Sequence, residues 1–288
     1  MDGRVIAKFL IRLVVTVLAA GLFGSLVVVL APAFGVTEAE LDTRLDASTI
    51  EAIRGSATAS KPDFARNYFR YVAGFARGDF GFSSSLNRPV SELLGERLPV
   101  SVRNLSAGAA LGAGVGLLCA VAVFRFRSPL VRIVPSAAST GLLSIPSAAL
   151  ALLFLIAGWP GPLALAALVF PRVYRYSYAA LARWADSPHV VAAEARGLPP
   201  WRILFAHTLA PAAPQLFAVL GMAVSVAFPA LVPIEAVCDS PGIGQLAWKA
   251  ALARDLPVLV VLTMVAAVIV SVGNAAADLT ADAARRHA

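Results

Sequence analysis

An all-α membrane protein with six transmembrane helices, and an extracytoplasmic segment between the first two, is the fold class this sequence predicts. Three observations carry the expectation. Of the 288 residues, 59% are hydrophobic and only 14% charged, with a mean hydropathy of +0.78. Soluble domains carry about 25% charged residues, so the chain is strongly depleted. Apolar runs approaching the ~20 residues a helix needs to cross a bilayer recur along the chain. The basic residues, which set a formal net charge of +7, fall between those runs, as topogenic charge does. No basic stripe with interleaved aromatics exists, so nucleic acid is excluded as a partner.

The elements follow in order. Leu13 to Leu30 is the first apolar run, and Arg4, Lys8 and Arg12 before it fix its start on the cytoplasmic side. Ala31-Pro32-Ala33 is similar to a signal-cleavage site, but the run exceeds the roughly 7–15 residues of a signal core, which favours an uncleaved span. Thr37 to Val100 is the one extended polar segment, and its acids nearly balance its bases, which suits the external side. Within it, Phe64, Tyr68, Phe69, Tyr71 and Phe75 recur at helical spacing and predict a surface helix. Pro89 and Pro99 suit helix starts. The second span covers about Val102 to Phe124, with Gly108, Gly112 and Gly116 at the small-xxx-small spacing that lets membrane helices approach closely. Arg125, Arg127 and Arg132 mark a cytoplasmic turn. The third span, about Ile133 to Ala157, holds Pro135 and Pro146 and is expected to be kinked and buried among neighbours.

The fourth span is the weakest, Leu163 to about Leu181, because its apolar run ends at Phe170. Arg172 and Arg175 follow it. They can snorkel toward headgroups, or they can line a transport route, since charge within a membrane is costly and usually functional. The fifth span, roughly Leu216 to Ala236, is interrupted by Pro229 and Pro233 and ends at Glu235, a third candidate for the route. Beyond it Pro241, Gly242, Gly244 and Gln245 form a turn that launches a short amphipathic helix. Gly242 and Gly244 are expected to take backbone conformations that a β-branched residue resists. The sixth span runs from Pro257 to about Ala277, and Arg285-Arg286 place the end of the chain inside. Both termini are then cytoplasmic. The chain divides into an N-terminal transmembrane helix (1–34), an extracytoplasmic segment (35–100) and a five-helix core (101–288) with a polar loop at 187–211.

That loop is the longest polar interruption of the C-terminal half. Ser187-Pro188 reads as an N-cap and first helical residue, Gly197 closes the helix, and Pro199-Pro200 start another. The product is a helix, an elbow and a second helix, with Ala192, Ala193 and Ala195 on the first arm. Such a loop either joins two spans or presents its small-residue face to a partner. Chemistry of other kinds is missing. No G-x-x-x-x-G-K-[ST] is present, His189, His207 and His287 do not cluster, and Cys119 and Cys238 lack metal-ligand spacing. An enzyme is therefore disfavoured. A self-contained secondary transporter or channel is the alternative, although internal repeats, frequent in that class, are not evident.

Several stretches resemble one family in the same order along the chain. Ala193-Glu194-Ala195-Arg196-Gly197-Leu198, followed by His207-Thr208-Leu209, resembles the coupling loop of ABC-importer permeases of the dipeptide, oligopeptide and nickel class. Val191 stands where many members carry Glu. Gly78-Asp79-Phe80-Gly81-Phe82-Ser83, Arg88-Pro89-Val90, Glu96-Arg97-Leu98-Pro99, Ser144-Ile145-Pro146-Ser147 and Pro241-Gly242-Ile243-Gly244-Gln245-Leu246 resemble further elements of that class, the last continuing to Arg254-Asp255. The resemblance implies the type I ABC-importer permease fold in a bacterial inner membrane. It implies a peptide-like solute, a second permease subunit as heterodimer partner, two ATPase subunits and an extracytoplasmic solute-binding protein, besides membrane lipid. No cofactor is implied on this chain, since ATP and magnesium sit on the ATPase subunits. Val190, Val191, Ala192, Ala193, Glu194, Arg196, Gly197 and Leu198 are the residues it assigns to ATPase coupling.

Overall fold

The computed structural model describes residues 3–30, 64–126 and 128–287. Ala31–Ala33, the first half of the polar segment and Arg127 lie outside the described residues, so the expectations placed on them do too. The described chain is almost wholly helical: α1 (Gly3–Leu30), α2 (Phe64–Arg77), α3 (Val90–Phe126), α4 (Pro129–Ser144), α5 (Ser147–Ile156), α6 (Gly161–Ala185), α7 (Pro188–Ala195), α8 (Pro200–Arg202), a π-helical stretch (Ile203–Leu209), α9 (Ala210–Val237), α10 (Ile243–Leu252) and α11 (Leu256–His287). A two-stranded antiparallel hairpin, β1 (Phe82–Ser83) and β2 (Arg88–Pro89), precedes α3.

Among the described residues three helices are long and apolar enough to cross a membrane: Val90–Phe126, Pro200–Val237 and Leu256–Ala275. A fourth crossing is available if α4 and α5 count as one span, but they meet at 108°. The predicted kink is therefore a break. It falls at Pro146, which starts α5, whereas α4 runs through Pro135. The 28-residue α1 carries the apolar stretch Phe9–Gly24, and the 25-residue α6 is not among the three. Pro229 and Pro233, expected to interrupt the fifth span, lie inside a continuous α9. Pro99 likewise sits inside α3 rather than at a helix start, and α3 begins at Val90, before the predicted span. A proline inside a membrane helix is tolerated where neighbours surround it, and the buried Ala227, Ala230, Leu231 and Ile234 mark such a place.

The chain divides into two compact units. The first comprises residues 1–94 with 249–268. In it Val17, Val260 and Met264 form a buried cluster with Leu13, Tyr71, Val72 and Phe75 packed on it. A Cβ at Gly24 would come within 2.9 Å of Thr263 Oγ1, so α1 and the start of α11 lie close. Tyr68 ties α2 to α1 by donating to the Leu18 carbonyl at 3.1 Å. Asp255, fully buried, clasps the hairpin. It accepts from Ser83 Oγ (2.5 Å), Ser85 Oγ (2.6 Å) and the Ser85 amide (2.9 Å), and it stands at the N-cap of α11, near the Val258 amide.

The second unit comprises residues 95–248 with 269–288. Its centre is α6, the weakest span by sequence. Leu165, Val169 and Val173 are almost fully buried, packed with Ala109 and Ala113 of α3, Leu150 of α5 and Ala227 and Leu231 of α9, while Leu181 is buried with Ala120 and Val123 of α3 and Ala212 and Leu216 of α9. The glycine row of α3 faces it. A Cβ at Gly108 would sit 2.6 Å from Leu165 Cβ, and one at Gly112 would sit 2.5 Å from the Ala166 carbonyl. The predicted close approach is real, and its partner is α6.

Asp255 generates a prediction. Burial would raise its pKa, but the donors from Ser83, Ser85 and Val258 outweigh that and hold it below the ordinary carboxylate value. A depressed folded pKa means the stabilisation is complete above the unfolded value of about 3.9 and fades as pH falls through the folded one. Amide exchange at Ser85 and Leu86 is expected to stay slow at pH 7 and to accelerate below about pH 3.9, beyond its intrinsic pH dependence. Asp255→Asn weakens the clasp by about 1–3 kcal/mol and opens these amides at pH 7. Unchanged protection in that variant rules out the clasp.

Candidate functional site

The elbow is built as its residue types dictate. Ser187 has extended backbone angles (φ −76°, ψ 149°) and Pro188 occupies the first helical position. The Ser187 hydroxyl does not cap α7; it donates backward to the Trp184 carbonyl at 2.5 Å. At the other end Leu198 N bonds to Ala193 O (3.3 Å), Gly197 N bonds to Glu194 O (2.9 Å), and Gly197 has φ +74°. That pair of bonds around a left-handed residue is a Schellman motif, and glycine enters it without the Cβ penalty. Pro199 and Pro200 then launch α8 and the π-helical stretch, in which Thr208 Oγ1 reaches the Ile203 carbonyl at 3.4 Å.

The two arms are joined on their inner side. Val190 and Ala193 are buried, as are Leu204 and Thr208 opposite them. His189 Nε2 lies 2.9 Å from the His207 carbonyl, which can only accept, so that nitrogen carries the proton. The outer side is different. Ala192, Glu194, Ala195, Arg196 and Gly197 are exposed, and Val191 (58%), Trp201 (58%) and Phe205 (61%) present large apolar surface. The expected Ala192-Ala193 face is thus split: Ala192 points out while Ala193 packs within the chain. Behind the elbow, a cavity of about 680 Å³ separates Val190 and Leu204 from the Arg125–Arg132 turn.

A second cluster gathers at the far end of α9. Glu235 is fully buried and accepts from Ser101 Oγ at 2.8 and 2.9 Å, from Asn104 Nδ2 at 3.2 Å and from the Gly244 amide at 2.8 Å. Ser101 Oγ also accepts from the Ile243 amide, and Asn104 Nδ2 donates to Ser240 Oγ. Gln245 bridges Asp239 Oδ1 (2.6 Å) and Arg97 Nη1 (3.0 Å). Glu235, Gly242, Gly244 and Gln245, separate in the sequence, therefore form one network, while Pro241 is exposed on its rim. Gly242 and Gly244 do not have positive φ, which corrects the expectation. Space is the reason for glycine: a Cβ at Gly242 would overlap the Glu235 carboxyl, and one at Gly244 would lie 2.6 Å from the Leu231 carbonyl.

Arg172 is half-buried and lines a cavity of about 330 Å³ beside the Pro146 break, whereas Arg175 is exposed. Sequence reasoning missed Ser101, Asn104, Ser83 and Ser85. Polar residues in helices and turns have no period of their own, and only Ser83 stood inside a quoted motif. Among the described residues no group of three His, Cys, Asp or Glu is placed to hold a metal.

The Glu235 network sets a prediction. Gly242→Ala forces the turn away from Glu235, and the overlap is too large to absorb without movement. Amide exchange across 243–252 is expected to accelerate at least about tenfold, a loss of about 1.4 kcal/mol. Exchange matching the unsubstituted protein contradicts this packing.

The comparisons with known proteins agree with the motifs. A family model described as binding-protein-dependent transport system inner membrane component matches residues 112–287. The oligopeptide transport system permease protein OppB of Salmonella typhimurium is 31% identical over 220 residues, which cover 68% of this chain and 71% of that protein. The dipeptide transport system permease protein DppB of Lactococcus lactis subsp. cremoris is 27% identical over 248 residues, 80% of this chain and 82% of the relative. The oligopeptide transport system permease protein AppB of Bacillus subtilis is 25% identical over 243 residues, 74% and 76% of the two chains. The elbow, the glycine-dependent turn and the apolar helices thus sit in a chain that belongs to the binding-protein-dependent transport system inner membrane component family.

Proposed function

We propose that the chain is one permease subunit of an ATP-driven ABC importer and forms part of the membrane route for a peptide-like solute. The observation that carries the reading is the elbow: a Schellman corner at the head of the long apolar helix Pro200–Val237, with Val191, Ala192, Trp201 and Phe205 exposed around it. Exposed apolar surface of this kind marks a docking site. Here it suits the groove of an ATPase subunit, and the relatives' names, two oligopeptide permeases and a dipeptide permease, support the peptide class. A second permease subunit, two ATPase subunits and an extracytoplasmic solute-binding protein complete the assembly.

The finer topology belongs to the same proposal. Six spans place residues 35–100 outside and both termini in the cytoplasm of a multi-pass inner-membrane protein, with α1 and α6 as first and fourth spans. Burial of α6 supports its inclusion, since a helix shielded by neighbours does not need an apolar surface all round. The mechanism is alternating access. Closure of the ATPase subunits displaces α7, and the joint at Val190, Ala193 and the His189–His207 bond passes that displacement to α9. The cavity behind the elbow leaves room for the movement.

Two substitutions separate docking from folding. Ala192→Arg adds a long charged side chain to the exposed face, and seating it unpaired in a partner groove costs several kcal/mol. Expression is expected to be normal, with co-purifying ATPase reduced at least about tenfold. Ala193→Arg instead strikes the buried joint and is expected to lower expression itself. If the Ala192→Arg protein keeps its ATPase subunits and full uptake, the coupling assignment fails.

The corner itself is tested by Gly197→Val. A β-branched residue at φ +74° is strained by roughly 1–3 kcal/mol. Uptake is expected to fall while solute capture by the binding protein is unchanged; full uptake shows that the angle of the elbow does not matter.

A further inference from the structure

Arg172 lies near the middle of the 25-residue α6, roughly 16 Å along its axis. Its guanidinium donates from Nη1 to the Leu168 carbonyl of its own helix at 3.2 Å, and no ion pair reaches it among the described residues. One carbonyl engages one of five donors and leaves the positive charge uncompensated. The side chain lines the cavity of about 330 Å³ whose other walls include Ile145, Pro146 and Ser147 at the broken span and Val226 and Pro229 of α9. The 108° turn at Pro146 takes α5 away from the line of α4 and opens this notch. Its volume falls within the roughly 300–1,000 Å³ of small-ligand sites.

Three physical points converge on an anion. An arginine keeps its charge in any surroundings, charge at membrane depth is expensive unless paired, and the planar fork matches a carboxylate with two parallel bonds. We propose that Arg172 pairs with a free carboxylate of the cargo as it passes the Pro146 break, so that the route favours carboxylate-bearing solutes. The inference rests on the importer reading above and adds to it the chemical group that the membrane route reads. Ser147 also lines the notch that the carboxylate enters. Release follows when alternating access moves the Pro146 break relative to α6.

The test uses the complete importer in proteoliposomes at saturating binding protein, so that selectivity after capture is measured. The probes are trialanine and trialanine amide, which differ only in the terminal carboxylate. Arg172→Gln is expected to lower trialanine uptake about tenfold while changing amide uptake by less than about twofold, because the lost bond is charge-assisted. Arg172→Lys keeps the charge but loses the fork and recovers part of the trialanine rate. Equal losses for both probes make Arg172 a purely structural residue and overturn the inference, as does no loss for either. An unsubstituted importer that carries neither probe sinks the peptide reading itself, which keeps the two failures apart.

Discussion

The buried carboxylate of Glu235 is the constraint around which the second unit is assembled. A fully enclosed carboxyl must find donors within the protein, and here they come from two separate places. Ser101 and Asn104 reach it from α3, and the Gly244 amide reaches it from the turn that follows α9. Each donor fixes a distance, so the end of α9, the first part of the α3 membrane segment and the turn into α10 are held in one geometry. Glycine at 242 and 244 is then compulsory for lack of room, not for unusual backbone angles. The motif reads in sequence as a flexible turn but works in the structure as a tightly filled clasp. Asp255 does the same for the hairpin in the first unit, with serines as donors.

Packing around α6 follows a different logic. Its sequence is interrupted by Pro171 and two arginines, yet its apolar positions are among the most buried in the chain. A helix surrounded by protein is released from the requirement to be apolar on every side, and polar residues on it can serve a cavity. The glycine row of α3 makes this possible by letting two backbones come close, and α9 packs on α6 as well. Pro229 of α9 and the break at Pro146 line the same cavity. The least regular part of the membrane region therefore surrounds the cavity that Arg172 lines.

The elbow combines stiffness with an open outer face. Its corner is fixed by two backbone bonds and one left-handed glycine, and its arms are fixed by buried side chains and the His189 bond to the opposite backbone. A push on Val191 or Ala192 is thus carried by α7 as a body rather than lost in local flexing. The empty volume behind the elbow means such a push meets little packed core at first. These are the properties that the proposed coupling to an ATPase subunit requires.

Much of this was legible in the sequence. The aromatic spacing at 64–75, the Ser-Pro start and Gly197 stop of α7, and the glycine row of α3 each correspond to observed structure, because local backbone preference and helical periodicity are written in consecutive residues. The sequence by itself also determined the class, since a chain this apolar has few ways to hide from water other than a membrane. What only the tertiary structure decided is which residues meet. Ala192 and Ala193 are adjacent and chemically identical, yet one faces out and one is buried, since the position of the π-helical arm opposite sets that choice. Pro146 breaks its helix while Pro229 does not, and Glu235 reads as a charge at a span end until Ser101 and Gly244 close over it. Side-chain donors separated by more than a hundred residues carry no periodic signal, and their pairing exists only once the helices have packed.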